Sequence, residues 1–196
     1  PTTYLPMFNM MVRKGQLLQS ETVLVLSASA GVGTAAIQIA KHVIGATVIA
    51  TTSNPTKVAK AKDIGADEVI DYSKDDIYAR VKEITNGTGV DMVVDHVGSE
   101  FFHAAYRSLR PGGRYGNCGV TSGYKVEFQL GSMFTRQITL FGVFMGSSQD
   151  MGNIVDLLNQ RKIDPIIDST FPLSNTANAH KLLESTQVFG KVILET

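Results

Sequence analysis

The residues able to do chemistry in this chain are few, and they are glycines, hydroxyls and one lysine rather than acids and bases. Positions 27–33 read Ser-Ala-Ser-Ala-Gly-Val-Gly, and every side chain but Val32 is small. Such a run lets backbone amides close on an anion. A helix starting there adds its free first N–H groups and its positive dipole end. The dinucleotide fingerprint G-x-G-x-x-G wants glycine at three places, which here are Ala28, Ala30 and Gly33. Only Gly33, the position for close helix–strand packing, is glycine. Ala30 stands where the backbone approaches a pyrophosphate. Taken alone, the motif marks either a diphosphate turn or a plain strand–turn–helix corner.

The next informative place is an absence. In a dinucleotide fold, an acid about 20 residues past the glycine turn binds the adenosine ribose of NAD. Here that place holds Thr51-Thr52-Ser53, with no carboxylate. Nothing there repels the 2′-phosphate of NADP. Lys57 follows closely, with an ammonium suited to a phosphate. Tyr72 follows a neighbouring strand and offers a hydroxyl. The combination favours NADP over NAD, with NAD as the alternative.

No catalytic residue is assigned. His42, His96, His103 and His180 are scattered without metal-ligand spacing. His42 and His103 are expected on helix surfaces and His180 on a tail helix. His96 ends a strand and is the best placed of the four to touch a ligand, though a structural role suits it better. Ser27 and Ser29 have no neighbouring base. Cys118 is the single cysteine, which excludes an intrachain disulfide and a cysteine-based zinc site within the chain. It is expected to be a small buried hydrophobe. No metal site is expected.

These residues need elements to hold them. A helix is predicted over 4–13, with Leu5, Phe8, Met11 and Val12 inward and Gly15 ending it. Apolar, β-branched runs predict strands at 22–26, 46–51, 68–71, 90–94, 114–118, 137–145 and 191–194. Helical spacing from Thr34 to Gly45 predicts the helix behind the turn. Further helices are predicted at 56–64 with Asn54 as cap and Pro55 first, 74–85, 100–109 with Ser99 as cap, 130–134, 151–160 and 175–185. Pro111-Gly112-Gly113 reads as a turn. Six strand–helix alternations imply right-handed crossovers and a doubly wound parallel α/β sheet, with a ligand crevice at the strands' carboxyl ends.

The chain has 196 residues, 18 basic and 18 acidic. That suits one α/β domain with a sizeable core. With no basic run, nucleic acid and anionic membranes are not expected partners. No apolar stretch reaches membrane-spanning length, and no signal-peptide pattern is present. The single cysteine fits a cytoplasmic location. The first residue is Pro1 rather than Met, which suggests a domain of a longer chain.

Five segments carry a family resemblance: ETVLVLSASAGVGTAAIQIAK, KAKDIGADEVIDY, GVDMVVDHVG, LRPGGR and FGKVIL. In this order and spacing, the chain resembles the nucleotide-binding half of the medium-chain dehydrogenase/reductase superfamily, in its quinone oxidoreductase and zinc-type alcohol dehydrogenase-like branch. The resemblance implies a Rossmann fold without the chaperonin-10-like catalytic domain that precedes it in full-length relatives. It implies a dinucleotide-binding domain over 1–164 and a segment, 165–196, that returns to the catalytic domain and exposes apolar surface or packs differently without it. Ser29, Ala30, Gly31 and Val32 would bind the pyrophosphate, and Ser53, Lys57 and Tyr72 the adenosine phosphate, with Thr52 beside them among the cofactor-binding residues. Val97 would lie on the adenosine side. Cys118, Gly119 and Val120, with Val143, Phe144 and Met145, would line the nicotinamide. Relatives usually carry glycine where Ala30 stands.

The expected function is the NADP(H)-binding domain of an oxidoreductase acting on a carbonyl, quinone, enone or alcohol, with the substrate engaged through the missing domain. The alternative is a non-catalytic dinucleotide-binding or redox-sensing module. A methyltransferase would need an acid after the second strand, where Thr52 supplies none. By resemblance, strand 137–145 would pair between subunits, and its apolar edge motivates a homodimer.

Overall fold

The computed structural model describes residues 1–196. Strands β1 (Thr22–Val25), β2 (Thr47–Thr52), β3 (Glu68–Asp71), β4 (Val90–Asp95), β5 (Leu109–Asn117) and β6 (Thr139–Gly142) form one sheet in the order 3-2-1-4-5-6. All its pairings are parallel. The central strand sets the register: Val23 faces Val48 on one side and Met92 on the other. The strand order reverses between β1 and β4. At that switch point, the crevice beyond the carboxyl ends is open to a ligand.

The helices cover both faces, which is why the strands are continuously apolar. One face is packed by α1 (Tyr4–Phe8), α2 (Gly31–Gln38), α3 (Thr56–Asp63) and α7 (Ser148–Asn159). Its core holds Val23, Val25, Val48, Ala50, Met92 and Val94 from the sheet, with Met7, Ile37 and Ile154 from the helices. The other face is packed by α4 (Ile77–Ile84) and α5 (Ser99–Ser108), which bury Leu24, Ile49, Ile70 and Val93. Fully burying one such side chain contributes roughly 1.5–3 kcal/mol. A short α6 (Leu130–Thr135) precedes β6. α1 and α2 each continue into a π-helical stretch, Asn9–Lys14 and Ile39–Ile44. Gly45, at φ 84°, then ends the second in a left-handed cap.

The tail is a separate small layer. β7 (Ile167–Pro172) pairs in parallel with β8 (Lys191–Glu195), and α8 (Thr176–Glu184) connects them. Its Ile167, Leu173, Leu183 and Leu194 are exposed, as expected of this segment. It does not hang free, however: Gly190 forms a parallel bridge with Ala30 at the glycine turn.

Several boundaries differ from expectation, each for a tertiary reason. β5 begins at Leu109 and runs through Pro111-Gly112-Gly113, because Leu109 pairs with Val90 across a register shift in β4. β6 ends at Gly142, so Val143, Phe144 and Met145 follow the strand rather than lie on it. α4 starts at Ile77, where the Asp76 carboxylate accepts the Ala79 N–H at 2.8 Å. Ser99 does not cap α5, since its hydroxyl donates to the Ser122 carbonyl at 3.1 Å. Asn54 does hold the start of α3: its side-chain oxygen accepts the Thr56 N–H at 2.9 Å.

Candidate functional site

The turn after β1 is built by exclusion of side chains. Ser27 adopts a left-handed φ of 54°, and its carbonyl sits under Gly33. A Cβ on Gly33 would lie 2.1 Å from that carbonyl oxygen, so only glycine fits there. Ser27 N–H donates to Thr51 Oγ1 at 3.0 Å and Ala28 N–H to the Thr51 carbonyl at 2.7 Å, which ties the turn to β2. Ala30 is extended at φ −70° and leads straight into α2, whose first turn has no side-chain cap. The leading N–H groups of α2 are therefore offered to the crevice. Ala30 needs no glycine, because its φ is one that any residue adopts.

A cavity of about 360 Å3 opens on this turn. Ser29, Ala30 and Gly31 form one wall, and Thr52, Ser53, Lys57 and Tyr72 form another. All seven were singled out from the sequence, and the fold brings them to one place. Val32 follows in α2 and does not line the cavity. Lys57 is the centre of the second wall. Its side chain is 6% exposed, and its ammonium donates to Ser29 Oγ at 3.2 Å and to the Thr186 carbonyl at 2.6 Å. Burial lowers its pKa, Asp168 opposes that shift, and Lys60 adds to it. No carboxylate lines the cavity.

The third wall was not foreseen. Thr186, Val188, Gly190 and Lys191 of the tail close the cavity from outside. Gly190 N–H donates to the Ser29 carbonyl at 2.8 Å. A Cβ on Gly31 would lie 2.6 Å from Lys191 Cδ, so the lysine stem lies against the start of α2. The one sequence signal for this wall is Gly190-Lys191, a glycine beside a cation at the entry to a short strand. Lys191 and Lys57 thus flank free helix amides in a cavity without acids. That donor set fits a dinucleotide carrying both a diphosphate and an adenosine phosphate.

The remaining candidates lie farther along the carboxyl ends of the sheet. Val97 is buried against the α5 face. It follows Asp95, whose carboxylate is fully used: it accepts from Val97 and Gly98 N–H, from Tyr115 OH at 3.0 Å and from Asn117 Nδ2 at 2.8 Å. Asp95 is therefore a structural carboxylate that fixes the tips of β4 and β5. Gly119 lies against the backbone of His96: a Cβ there would be 2.5 Å from its carbonyl oxygen. Cys118 is half-buried, and burial, aided by the Asp95 charge, pushes its thiol up to about 12. That protonated thiol fits the role of a small hydrophobe.

Val143 is buried, Met145 half-buried at a left-handed φ of 52°, and Phe144 93% exposed. Asn9 Nδ2 donates to the Met145 carbonyl at 2.8 Å, which holds this segment to the helix that opens the chain. Val120 lines a separate apolar cavity of about 320 Å3 against Phe102, Tyr115 and Leu140. His96 is buried with both ring nitrogens unpartnered, and burial lowers its pKa. His42, His103 and His180 are exposed on helices, as expected. No three His, Cys, Asp or Glu side chains group in a way that can hold a metal ion.

Known proteins resemble this chain over nearly its full length. Residues 31–160 match the model of the family described as zinc-binding dehydrogenase. The chain is 34% identical over 184 residues to an NAD-dependent alcohol dehydrogenase of Saccharolobus solfataricus, covering 93% of this chain and 53% of that protein. It is likewise 34% identical over 182 residues to a 2-haloacrylate reductase of a Burkholderia species, covering 88% of this chain and 54% of that protein. A solved structure of a mycobacterial protein complexed with NADPH superposes with a TM-score of 0.86 at 29% identity, covering 99% of this chain and 62% of that one. The chain thus spans about half the length of the curated relatives it matches.

Proposed function

The chain belongs to the zinc-binding dehydrogenase family of the medium-chain dehydrogenase/reductase superfamily, and on that premise we propose that it is the NADP(H)-binding domain of an oxidoreductase. The observation that carries the choice of cofactor is the Lys57 ammonium, buried in a cavity with Thr52, Ser53 and Tyr72 and with no carboxylate. In this reading Lys57, Ser53 and Tyr72 hold the adenosine 2′-phosphate, and Thr52 leaves room for it. The amides after Ala30, joined by Lys191, hold the diphosphate. Val97 packs on the adenosine side. The tips of β5 and β6, with Cys118, Gly119 and Val120 and with Val143, Phe144 and Met145, form the nicotinamide side. Residues 1–164 make up the dinucleotide-binding unit, and 165–196 form a segment that packs on the turn and carries apolar surface toward a further domain.

When bound, the cofactor supplies or accepts the hydride. The chain's own part is to orient it. The turn fixes the diphosphate, and the Asn9–Met145 contact holds the segment after β6 in place. The acceptor would be a carbonyl, quinone or enone, or the donor an alcohol. The zinc of the family's name has no ligand set among these residues.

One observation favours a second reading, a non-catalytic dinucleotide-binding or redox-sensing module. No exposed acid–base side chain stands at the nicotinamide side, since Cys118 is held protonated, Asp95 is fully bonded and the unpartnered ring of His96 is buried. Titration with NADPH and with NADH, followed by cofactor fluorescence, tests the first reading; tighter binding of NADPH is expected. Equal affinities would refute the phosphate assignment. Turnover of simple quinones or aldehydes by this chain with NADPH would refute the second reading.

A further inference from the structure

The Lys57 ammonium has three donors. The chain uses two, on Ser29 Oγ and on the Thr186 carbonyl. A buried ammonium needs such acceptors, because a desolvated charge without partners is costly. The tail presents its carbonyl by a specific device. Thr186 adopts a left-handed φ of 59°, just after α8. Past it, Val188 and Phe189 are buried, and three successive N–H groups are anchored. Phe189 donates to Asp168 Oδ1 at 3.0 Å, Gly190 to the Ser29 carbonyl at 2.8 Å, and Lys191 to the Ile166 carbonyl at 2.9 Å. Gly190 itself has φ 103°, and a Cβ there would lie 2.3 Å from the Ile166 carbonyl oxygen. The tail therefore reaches the cavity in one defined path, with one carbonyl on the one buried cation.

We propose that Thr186 is a positioning residue: its backbone carbonyl, delivered by the docked tail, holds the Lys57 ammonium at the mouth of the cavity, so that tail docking and binding of a 2′-phosphate are coupled. This rests on the reading of the cavity as an adenosine-phosphate site. The third ammonium donor is left for the phosphate. By reciprocity, whatever loosens the tail weakens the phosphate-bearing cofactor, and the phosphate-bearing cofactor tightens the tail. A cofactor without that phosphate does neither through this route.

Hydrogen exchange on the whole chain tests both directions. Lys57→Met keeps the aliphatic stem and removes the ammonium. Without any cofactor, it is expected to speed exchange of the Phe189 and Gly190 amides about tenfold, the low end for losing a hydrogen bond to a charged group. NADPH is expected to slow those amides in the wild type but not in the variant, and NADH to have the smaller effect. A second pair of variants leaves Lys57 in place. Thr186→Pro cannot take a positive φ and withdraws the carbonyl. Thr186→Gly keeps both the conformation and the carbonyl. The proline variant is expected to lower the NADPH-to-NADH affinity ratio about tenfold, while the glycine variant leaves it unchanged. Unchanged tail exchange in Lys57→Met overturns the proposal, as does an equal ratio in both Thr186 variants. A wild type that shows the Lys57 effect on the tail yet gives no NADPH fluorescence signal overturns the coupling by removing the cofactor reading beneath it. A wild type that binds NADPH without slowing the tail overturns the coupling alone.

Discussion

Replacing Lys57 by methionine separates two jobs of one side chain, and the cofactors themselves report which is which. The stem is buried, and methionine fills nearly the same volume, so packing is kept. What goes is one charge and its hydrogen bonds. The bonds to Ser29 Oγ and the Thr186 carbonyl are made before any cofactor binds, so their loss is read in tail exchange and stability rather than in NADH affinity. In the proposed reading, a bond to the 2′-phosphate serves NADPH alone. A hydrogen bond to a charged group contributes about 1.5–3 kcal/mol, so NADPH is expected to lose a factor of about 10 to about 150. Measuring both cofactors on both proteins makes a double-mutant cycle in which the phosphate is the second change. The coupling factor is the ratio of ratios, and folding losses cancel from it. Fluorescence titrations at fixed ionic strength suffice, because a surface contribution would shrink with salt and a buried one far less. A coupling factor of one, with both cofactors weakened equally, would mean that Lys57 faces the tail and not the phosphate.

Three further outcomes test other parts of the site. Gly33→Ala drives a methyl group into the Ser27 backbone and is expected to cost about 3 kcal/mol or more by chemical denaturation, whereas Gly31→Ala meets side chains alone, the flexible stem of Lys191 and the methyl of Thr3, folds normally and weakens both cofactors alike. Equal stability losses in the two would refute the packing account of the turn. His96→Leu removes a buried imidazole with no partner, so at neutral pH the variant is expected to be at least as stable as the wild type. Burial holds the folded pKa of His96 below its ordinary 6.5, so the unfolded chain takes up the proton first, and wild-type stability falls as pH drops below 6.5. The leucine variant is expected to lose that component, seen as a flatter melting temperature between pH 7 and 5; an unchanged slope would refute it. The open edge of β6, with Leu140 and Phe144 exposed, motivates a homodimer that Leu140→Lys should dissociate in light scattering, and a wild type that is monomeric at high concentration would refute the dimer.

What was legible in the sequence follows how local its cause was. β3 is found at its expected residues, and the turn after β1 gathers the expected serine, alanine and glycine, because apolar runs and small residues act through their own backbone. The cavity wall of Thr52, Ser53, Lys57 and Tyr72 was legible too, since the parallel pairing of β2 with β3 brings their tips together. The start of β5 was not legible. Pro111-Gly112-Gly113 carries turn chemistry, and only the distant Val90 draws Leu109 into the sheet. Ser99 looks like a cap, but the loop around Ser122 lies across the chain and takes its hydroxyl. β7 was missed because Ile167–Pro172 mixes polar residues with a terminal proline and finds its partner only in β8. The tail wall lies farthest of all from local rules: Thr186 stands 129 residues from Lys57, and its contribution is a carbonyl, which no side-chain pattern records.

The two ends of the sheet handle charge in opposite ways, and in the proposed reading that contrast locates the choice of cofactor. At the amino ends, Glu21 pairs with Arg110 and Arg114, and Asp91 pairs with Arg110, so the charges close on one another. At the carboxyl end of β4, Asp95 is neutralised in effect by four donors, which leaves it nothing to offer a ligand. The carboxyl end of β2 is different. Its hydroxyls at Thr52 and Ser53 face a cavity flanked by Lys57 and Lys191, and no carboxylate lines that cavity to cancel them. In a chain with equal numbers of acids and bases, such a local excess of positive charge is not a matter of composition. It exists because the tail adds Lys191 to a turn that already holds Lys57, whose ammonium the Thr186 carbonyl accepts. In the proposed reading, selection between NADPH and NADH is then a property of β2, α3 and the tail together, and substituting Ser53 alone should shift it less than Thr186→Pro, which touches no ligand atom with its side chain.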